Sequence, residues 1–250
     1  MTRYSAALTH LLISAVLAGT IFALVILAWY PPPLFAASGG KTLLMILICV
    51  DVVLGPLITL MVFRPGKPSL RFDLACIALL QTGALIYGIH TVFVARPVFL
   101  VFVIDRFEVV TAVQIPPEEQ AKAADAEFRN SPLWGYRTVA AVLPSDLSER
   151  ERILFASVGG VGLDIQHFPQ HYRRYDAAMA SAALKSAQEF SFLRTRDPQQ
   201  NPAIDAWLKE QALDEKGLVV LPVIVRSHDL TAVLDRASGR IIQLAPFSLW

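Results

Sequence analysis

Three long apolar runs dominate the first 94 residues and constrain the fold more than any other feature of the chain. They extend from about Leu11 to Tyr30, Thr42 to Phe63 and Leu74 to Val94. Each reaches the roughly 20 residues that a helix needs to cross the hydrocarbon core of a bilayer. The whole chain is 54% hydrophobic, above the ordinary share for a soluble domain. The sequence therefore predicts three transmembrane helices in a membrane domain of residues 1–95.

The first run has a competing interpretation as a signal peptide, with Arg3 as its basic start and Leu34-Phe35-Ala36 as a weak cleavage pattern. Its apolar stretch is longer than the roughly 7–15 residues typical of a signal peptide. The pair Trp29-Tyr30 closes the run as an interfacial anchor would. We therefore expect a helix that is retained.

Basic residues in the short loops predict the orientation of these helices. The loop of residues 64–73 carries three of them and Arg3 adds a fourth, whereas the opposite side has only Lys41 and Arg96. Because basic loops stay in the cytoplasm, we expect the N-terminus and that loop there. Residues 31–41 and everything after Arg96 then face outwards, which in a bacterial inner membrane means the periplasm.

Residues 96–250 differ in composition and predict a periplasmic α+β domain on an antiparallel sheet. Residues 97–250 hold sixteen Lys and Arg against nineteen Asp and Glu, and they show short alternating runs. Expected strands are Pro97–Ala112 as one long strand with a bend near Asp105-Arg106, Arg137–Leu143, Leu218–Arg226, Leu230–Asp235 and Arg240–Leu244. Expected helices are Glu118–Phe128, one capped by Ser145 or Asp146 with Glu149 in a capping box, Tyr175–Glu189 and Ala203–Leu213.

Motifs for catalysis or cofactor binding are scarce in the sequence. It has no HExxH, GxSxG or Walker A motif. His167 and His171 have a spacing that could share a metal on a helix, but Pro169 between them favours loop histidines on a solvated surface. Gly159-Gly160-Val161-Gly162 follows a predicted helix, so it is typical of a helix end and loop. Glu149 and Glu151 alternate with arginines, which favours a solvated helix face.

Asp51 is the unusual residue of the second run, because a carboxylate at membrane depth is costly. Depth counting at about 1.5 Å per residue brings it level with Thr20, Tyr87 and, after a small shift, His90. It is then either an interhelical hydrogen-bonding residue or part of a proton or ion relay, and the lack of further ionisable groups favours the first. Gly55-Pro56 predicts a kink and a point of close packing, and Pro56 should free the carbonyl of Val52.

Two aromatic and charged segments of the second domain form a candidate partner surface. They contain Asp105, Arg106 and Phe107 in one segment, and Trp134 and Tyr136 in the other. Such compositions are common both in protein-binding surfaces and in edge packing, and the sequence leaves both open.

Three features together resemble one family. They are the three-helix membrane part, the segment Asp51-Val52-Val53-Leu54-Gly55-Pro56-Leu57, and Arg96-Pro97-Val98-Phe99-Leu100 followed by Val103-Ile104-Asp105-Arg106-Phe107. The chain is similar in these features to the TfpX/TfpZ family of type IV pilin accessory proteins. The resemblance implies an inner-membrane protein with a periplasmic domain that stabilises one cognate pilin and modulates pilus assembly or retraction. It implies neither enzymatic activity nor a cofactor.

Two other classes of function remain open from the sequence. A membrane enzyme would place its site near the outer leaflet and use Asp51 and His90, but no cleft of convergent titratable groups is evident. An envelope sensor or scaffold would need a cytoplasmic output module, and the expected cytoplasmic segments are short. The expected partners are therefore a pilin and the lipid bilayer, with no nucleic acid.

Overall fold

The computed structural model describes residues 2–158 and 163–249, and the chain divides into two compact units. The first unit takes in the residues up to Phe35 together with Gly39–Arg96. The second takes in the residues from Pro97 onwards and the short segment Ala36–Ser38.

The first unit consists of three long helices. Helix α1 spans Arg3–Trp29, α2 spans Gly40–Val62 and α3 spans Leu70–Val94, and each is long and apolar enough to cross a membrane. Each helix begins earlier in the chain than the apolar run that predicted it. Thr2 caps α1 by accepting a hydrogen bond from the Ser5 amide, which explains the early start of this helix.

Helix α2 packs against both α1 and α3. A cluster around Val25, Tyr30 and Val92 holds the carboxyl ends of α1 and α3 together. The Tyr30 hydroxyl donates to the Val92 carbonyl at 3.0 Å, and the rings of Trp29 and Phe93 meet edge to face at 5.1 Å. A single helical turn, Leu34–Ala37, follows α1.

The second unit is built on an eight-stranded sheet with the order β4-β3-β1-β2-β6-β7-β8, in which β5 also pairs with β6. The strands are β1 Pro97–Val103, β2 Arg106–Thr111, β3 Arg137–Ala141, β4 Tyr172–Arg174, β5 Gln188–Glu189, β6 Leu218–Ile224, β7 Leu230–Asp235 and β8 Ile241–Ala245. Every residue of β1 is buried, as expected of a strand covered on both faces.

The predicted antiparallel sheet is wrong, because the sheet is mixed. β1 pairs in parallel with β3, and β2 pairs in parallel with β6, while the other pairs are antiparallel. A parallel neighbour requires a long crossover connection. Here helical segments carry the chain back before it enters β3 and β6.

The predicted single strand over Pro97–Ala112 is also wrong, since it is a hairpin of β1 and β2. Ile104 and Asp105 form the connection, and Ile104 adopts a left-handed φ of 54°. This conformation is rare for a β-branched residue. The turn contains neither the glycine nor the asparagine that usually indicates a tight hairpin turn in a sequence, which is why the hairpin was not predicted.

Two helices of the second unit, those expected over Glu118–Phe128 and Tyr175–Glu189, are shorter than predicted, whereas the helix expected after Ser145 or Asp146 has its predicted start. The helices of this unit are α4 Pro117–Gln120, α5 Leu147–Val158, α6 Ala177–Ser186, α7 Phe190–Arg196 and α8 Asn201–Glu210. The helix expected over Glu118–Phe128 stops after one turn, and Asp125 then caps a 3₁₀ turn over Ala126–Phe128. Asp176 caps α6, and the chain beyond that helix forms β5 and α7, which the sequence did not predict.

Among the described residues, two hydrophobic clusters lie in the second unit. One lies around β1 and β3 and includes Phe99, Val101 and Tyr172. The other lies around β6 and β7 and includes Trp207 and Phe247. The parallel ladder of β2 and β6 pairs Phe107 with Val223, and both are fully buried.

The segment Ala36–Ser38 joins the second unit through backbone hydrogen bonds. The Ala37 carbonyl accepts from the amides of Ser227 and His228 at 3.2 and 3.3 Å. The turn between β6 and β7 is thus tied to the connection that leads from α1 to α2.

Candidate functional site

Asp51 lies in a π-helical stretch of α2, Cys49–Leu54, and is only 8% exposed. The amide of Gly55 donates to the carbonyl of Val50, five residues back, instead of the four of an α-helix. π-Helical turns inside α-helices are frequent at functional sites. The π-helical stretch therefore determines which way the Asp51 side chain points and which backbone carbonyls lose their helical donor.

Pro56 leaves the Asp51 carbonyl without its expected backbone donor. In the π register the next hydrogen bond would run from residue 56 to Asp51, but proline has no N–H. The side chain of Gln81 on α3 donates to this carbonyl instead, at 3.4 Å. The freed carbonyl that the sequence predicted at Val52 assumed α-helical spacing, whereas the π register adds the Asp51 carbonyl.

Gly55 makes the approach of Gln81 possible. A Cβ atom built on Gly55 would lie 1.8 Å from Nε2 of Gln81, far inside van der Waals contact. The backbone of Gly55 is ordinary helix, with φ −60° and ψ −57°. Glycine is therefore required here for space and not for backbone freedom.

The partners expected for the Asp51 carboxylate do not bond to it. Thr20 donates to the Val16 carbonyl at 2.9 Å, and Tyr87 and His90 are both exposed. Within residues 2–158 and 163–249, the Asp51 carboxylate has no hydrogen bond or ion pair.

His10, Ser14 and Thr59 were missed by the sequence analysis. His10 lies just before the predicted start of the first span, and the two hydroxyl residues look unremarkable among apolar neighbours. Nδ1 of His10 is 2.6 Å from the Thr59 hydroxyl, and Ser14 and Thr59 are both buried. The i,i+4 spacing of His10 and Ser14 is the signal that would have placed them on one face.

His10, Ser14, Asp51 and Gln81 face one groove in the first unit, which we call the Asp51 groove. Its cavity of about 170 Å³ is lined by His10, Ile13, Ser14, Leu17, Ala18, Asp51, Ala78, Gln81, Thr82 and Leu85. A second cavity of about 300 Å³ lies between α2 and α3 and is almost wholly apolar, although Asp51, Tyr87 and Thr91 also line it. The arrangement can accept a hydrogen bond inside an otherwise apolar surface.

The second unit holds a network of charged side chains centred on Arg152. Its guanidinium contacts both carboxylate oxygens of Glu119, at 3.2 and 3.3 Å, and bonds Glu149 at 2.8 and 2.9 Å. The hydrogen bonds from Arg152 lower the pKa of Glu149 to about 2. Arg152 thus ties α5 to α4 through Glu119, and the Glu149 carboxylate binds Arg152 and His171 and is not used in a capping box. The expected solvated face holds for Glu151, which is exposed, while Glu149 and Arg152 are partly buried and paired.

The two histidines predicted to lie on a solvated surface are largely buried. His167 is 7% exposed, burial lowers its pKa, and its Nδ1 accepts from the Asp164 amide at 3.0 Å. Nε2 of His171 lies 3.0 Å from Glu149. The two rings have different partners, and no group of three or more metal-ligating side chains occurs in the described parts of the chain.

The residues of the candidate partner surface differ in their exposure to solvent. Phe107 is fully buried and packs against Phe102 and Tyr175, so it cannot contact a partner directly. Asp105 is exposed and pairs with Arg106 at 3.0 Å. Trp134 is 64% exposed, and Tyr136 is half-buried.

Cys49 and Cys76, which lie in α2 and α3, are both free. Gly159-Gly160-Val161-Gly162, expected to end α5, lies outside the described residues.

Comparisons with known proteins give relatives of one kind. The chain is 29% identical over 232 residues to the fimbrial assembly protein of serogroup I from Dichelobacter nodosus, covering 91% of this chain and 88% of that protein. The serogroup E1 protein is 28% identical over 233 residues with the same coverage. The protein of serogroups C1 and C2 is 31% identical over 116 residues, 46% of this chain and 88% of that protein. No family model and no solved structure matches.

Proposed function

The chain belongs to the family of fimbrial assembly proteins, and we propose that it is a non-enzymatic accessory protein of the bacterial inner membrane. In this role it stabilises a cognate type IV pilin and modulates pilus assembly or retraction. The observation that carries the proposal is the similarity to two fimbrial assembly proteins over 91% of the chain, which takes in both structural units.

The proposed membrane placement has support from the first unit. Many of its large apolar side chains are exposed to the surroundings, including Leu27 at 83% and Leu79 at 75%. Such a surface is unfavourable in water and suits lipid. The basic loop of residues 64–71 supports a cytoplasmic position for the connection between α2 and α3.

A hydrogen-bonded contact within the second unit supports the proposed topology. The Ala37 carbonyl, in the connection from α1 to α2, accepts from Ser227 and His228. Groups that bond each other lie on one side of a membrane. The connection from α1 to α2 and the domain after α3 therefore belong on the same side, which we propose is the periplasm.

The proposed partner contacts follow from this placement. A pilin before assembly presents a membrane helix and a periplasmic head, so a protein that stabilises it needs an intramembrane surface and a periplasmic one. The Asp51 groove is the candidate for the first. Asp105, Arg106, Trp134 and Tyr136 are the candidates for the second.

Deletion and complementation in the source strain test the proposal. We expect deletion to lower the steady-state level of the pilin or the number of surface pili, and the full-length chain to restore them. Affinity purification of the tagged chain from detergent-solubilised membranes should recover the pilin. Unchanged pilin level, pilus number and retraction, with no pilin recovered, would exclude the proposed role and leave the membrane enzyme or envelope sensor as the better hypothesis.

A further inference from the structure

Asp51 is only 8% exposed, and its carboxylate makes no hydrogen bond or ion pair among the residues that the structure describes. It forms part of the wall of the Asp51 groove, where α2 contributes no other residue. An acidic side chain without a partner at membrane depth is unfavourable. Its position on a groove, and not inside a closed core, means that a second molecule can reach it.

The shape of the unit leaves room for a helix at this place. α1 and α3 are in contact near their carboxyl ends, through Trp29 and Phe93. Nearer their amino ends, both helices instead line the cavity, α1 with residues such as Ser14 and Leu17 and α3 with residues such as Ala78. Small side chains at such a position let a neighbouring helix approach closely.

The chemistry of the groove disfavours lipid as its occupant. An acyl chain over Asp51 would leave its carboxylate without a hydrogen-bond partner in hydrocarbon. A helix that carries a donor can satisfy that carboxylate.

We propose that the Asp51 groove receives a membrane-spanning helix of the pilin, and that a hydrogen-bond-donating or cationic group of that helix binds the Asp51 carboxylate. This inference rests on the proposed function and names the surface and the chemistry by which it operates. His10 and Thr59 already bond each other at 2.6 Å. Asp51 is therefore the acidic acceptor left for the partner in this groove.

Site-specific photo-crosslinking in membranes of the pilin-producing strain tests the placement. A photo-reactive amino acid replaces Leu17, which lines the groove, or Val16, which is adjacent in the helix and 69% exposed away from the groove lining. The two positions lie at nearly the same depth in the membrane, because they are consecutive in α1. We expect adducts with the pilin from position 17 and far fewer from position 16, because only the side chain at position 17 lines the groove.

Two substitutions test the proposed binding to the Asp51 carboxylate, each in the chain that carries the photo-reactive amino acid at position 17. Asp51→Leu removes the acceptor, and Ala78→Phe fills the groove from an exposed position of α3. Each should lower the pilin adduct about three- to tenfold at an unchanged level of the chain. Leu80→Phe is the matched control for Ala78→Phe, because Leu80 is 74% exposed and does not line the groove.

The outcomes separate the inference from the proposed function. If the pilin co-purifies with the chain but forms equal adducts from both positions, or none from position 17, the groove is not the docking site while the proposed function stands. Adducts of position 17 with lipid or with a second copy of the chain also overturn the inference. If no pilin co-purifies and deletion leaves pili unchanged, the proposed function fails as well. Persistence of the adduct in both Asp51→Leu and Ala78→Phe overturns the role of the carboxylate and of the groove.

Discussion

Replacing Gly55 by alanine should destabilise the helical unit through Gln81 and not through the backbone of α2. The added Cβ would lie 1.8 Å from Nε2 of Gln81, so the Gln81 side chain must leave its position. Its departure breaks the 3.4 Å hydrogen bond to the Asp51 carbonyl. Pro56 has no N–H to replace it.

The expected magnitude follows from two opposed contributions. Leaving the Asp51 carbonyl without a donor costs about 1–3 kcal/mol. Alanine in place of glycine stabilises a helix by about 0.5–1 kcal/mol. The net cost of Gly55→Ala is then up to about 2.5 kcal/mol of unfolding free energy.

A double-mutant cycle in detergent micelles, measured by reversible unfolding with a denaturing detergent, checks this reasoning. Gln81→Ala alone should cost about 1–3 kcal/mol, because it removes the same hydrogen bond. The double variant Gly55→Ala, Gln81→Ala should cost no more than Gln81→Ala alone, since the Cβ added at position 55 then meets open space. Gly83→Ala on α3 is the control, because a Cβ there has no neighbour within 4 Å, and it should be neutral or slightly stabilising.

Additive costs in the cycle would refute the reasoning. Independent sites add within about 0.5 kcal/mol, so additivity would mean that Gly55 and Gln81 act separately. Equal losses for Gly55→Ala and Gly83→Ala would likewise show that the close approach of Gln81 has no energetic consequence.

Pro56→Ala restores an N–H for the Asp51 carbonyl. In that background, Gln81→Ala should therefore lower the unfolding free energy by about 1 kcal/mol less than it does in the unmodified chain. An equal loss in both backgrounds, measured by the same unfolding assay, contradicts the π register. Glu149→Gln should lower the stability of the second unit at pH 7 by about 1–2 kcal/mol, discounted for the partial exposure of the pair with Arg152. Because the pKa of Glu149 is lowered to about 2, the stability difference between the two proteins is present above the unfolded pKa of about 4.3 and shrinks as the pH falls towards 2. Thermal melts of both proteins across that pH range check this expectation. A stability difference that stays constant with pH contradicts it. Asp176→Ala removes the cap of α6 and should cost about 1 kcal/mol, whereas Asp176→Asn should cost a few tenths; equal losses for the two variants in thermal unfolding would mean that capping is not the cause.

The helical unit was largely predictable because its signal is local. Hydropathy alone places three helices, and their length follows from the bilayer thickness. The partners of Asp51 were not predictable by depth counting, which assumes α-helical rise and known membrane boundaries. The π-helical stretch shifts the register by one residue, and the early start of α1 brings His10 into the groove.

The sheet was less predictable because its pairing is not local. The strands over 218–245 were predicted nearly correctly, since alternation and a turn at Gly239 mark them. The parallel pairs, such as Phe107 with Val223, join segments far apart in the chain, and no pattern in either segment encodes them. The Arg152 network was missed for the same reason, because Glu119 comes from a different segment.

The parallel ladder between β2 and β6 is short, but it closes over buried side chains. Phe107 and Val223 pair across it, and both are fully buried. Opening the ladder would expose these two side chains to solvent, so it costs far more than its few hydrogen bonds. The amides of β2 and β6 at this ladder should therefore exchange with solvent as slowly as those of the neighbouring buried strands, and the two halves of the sheet should open together.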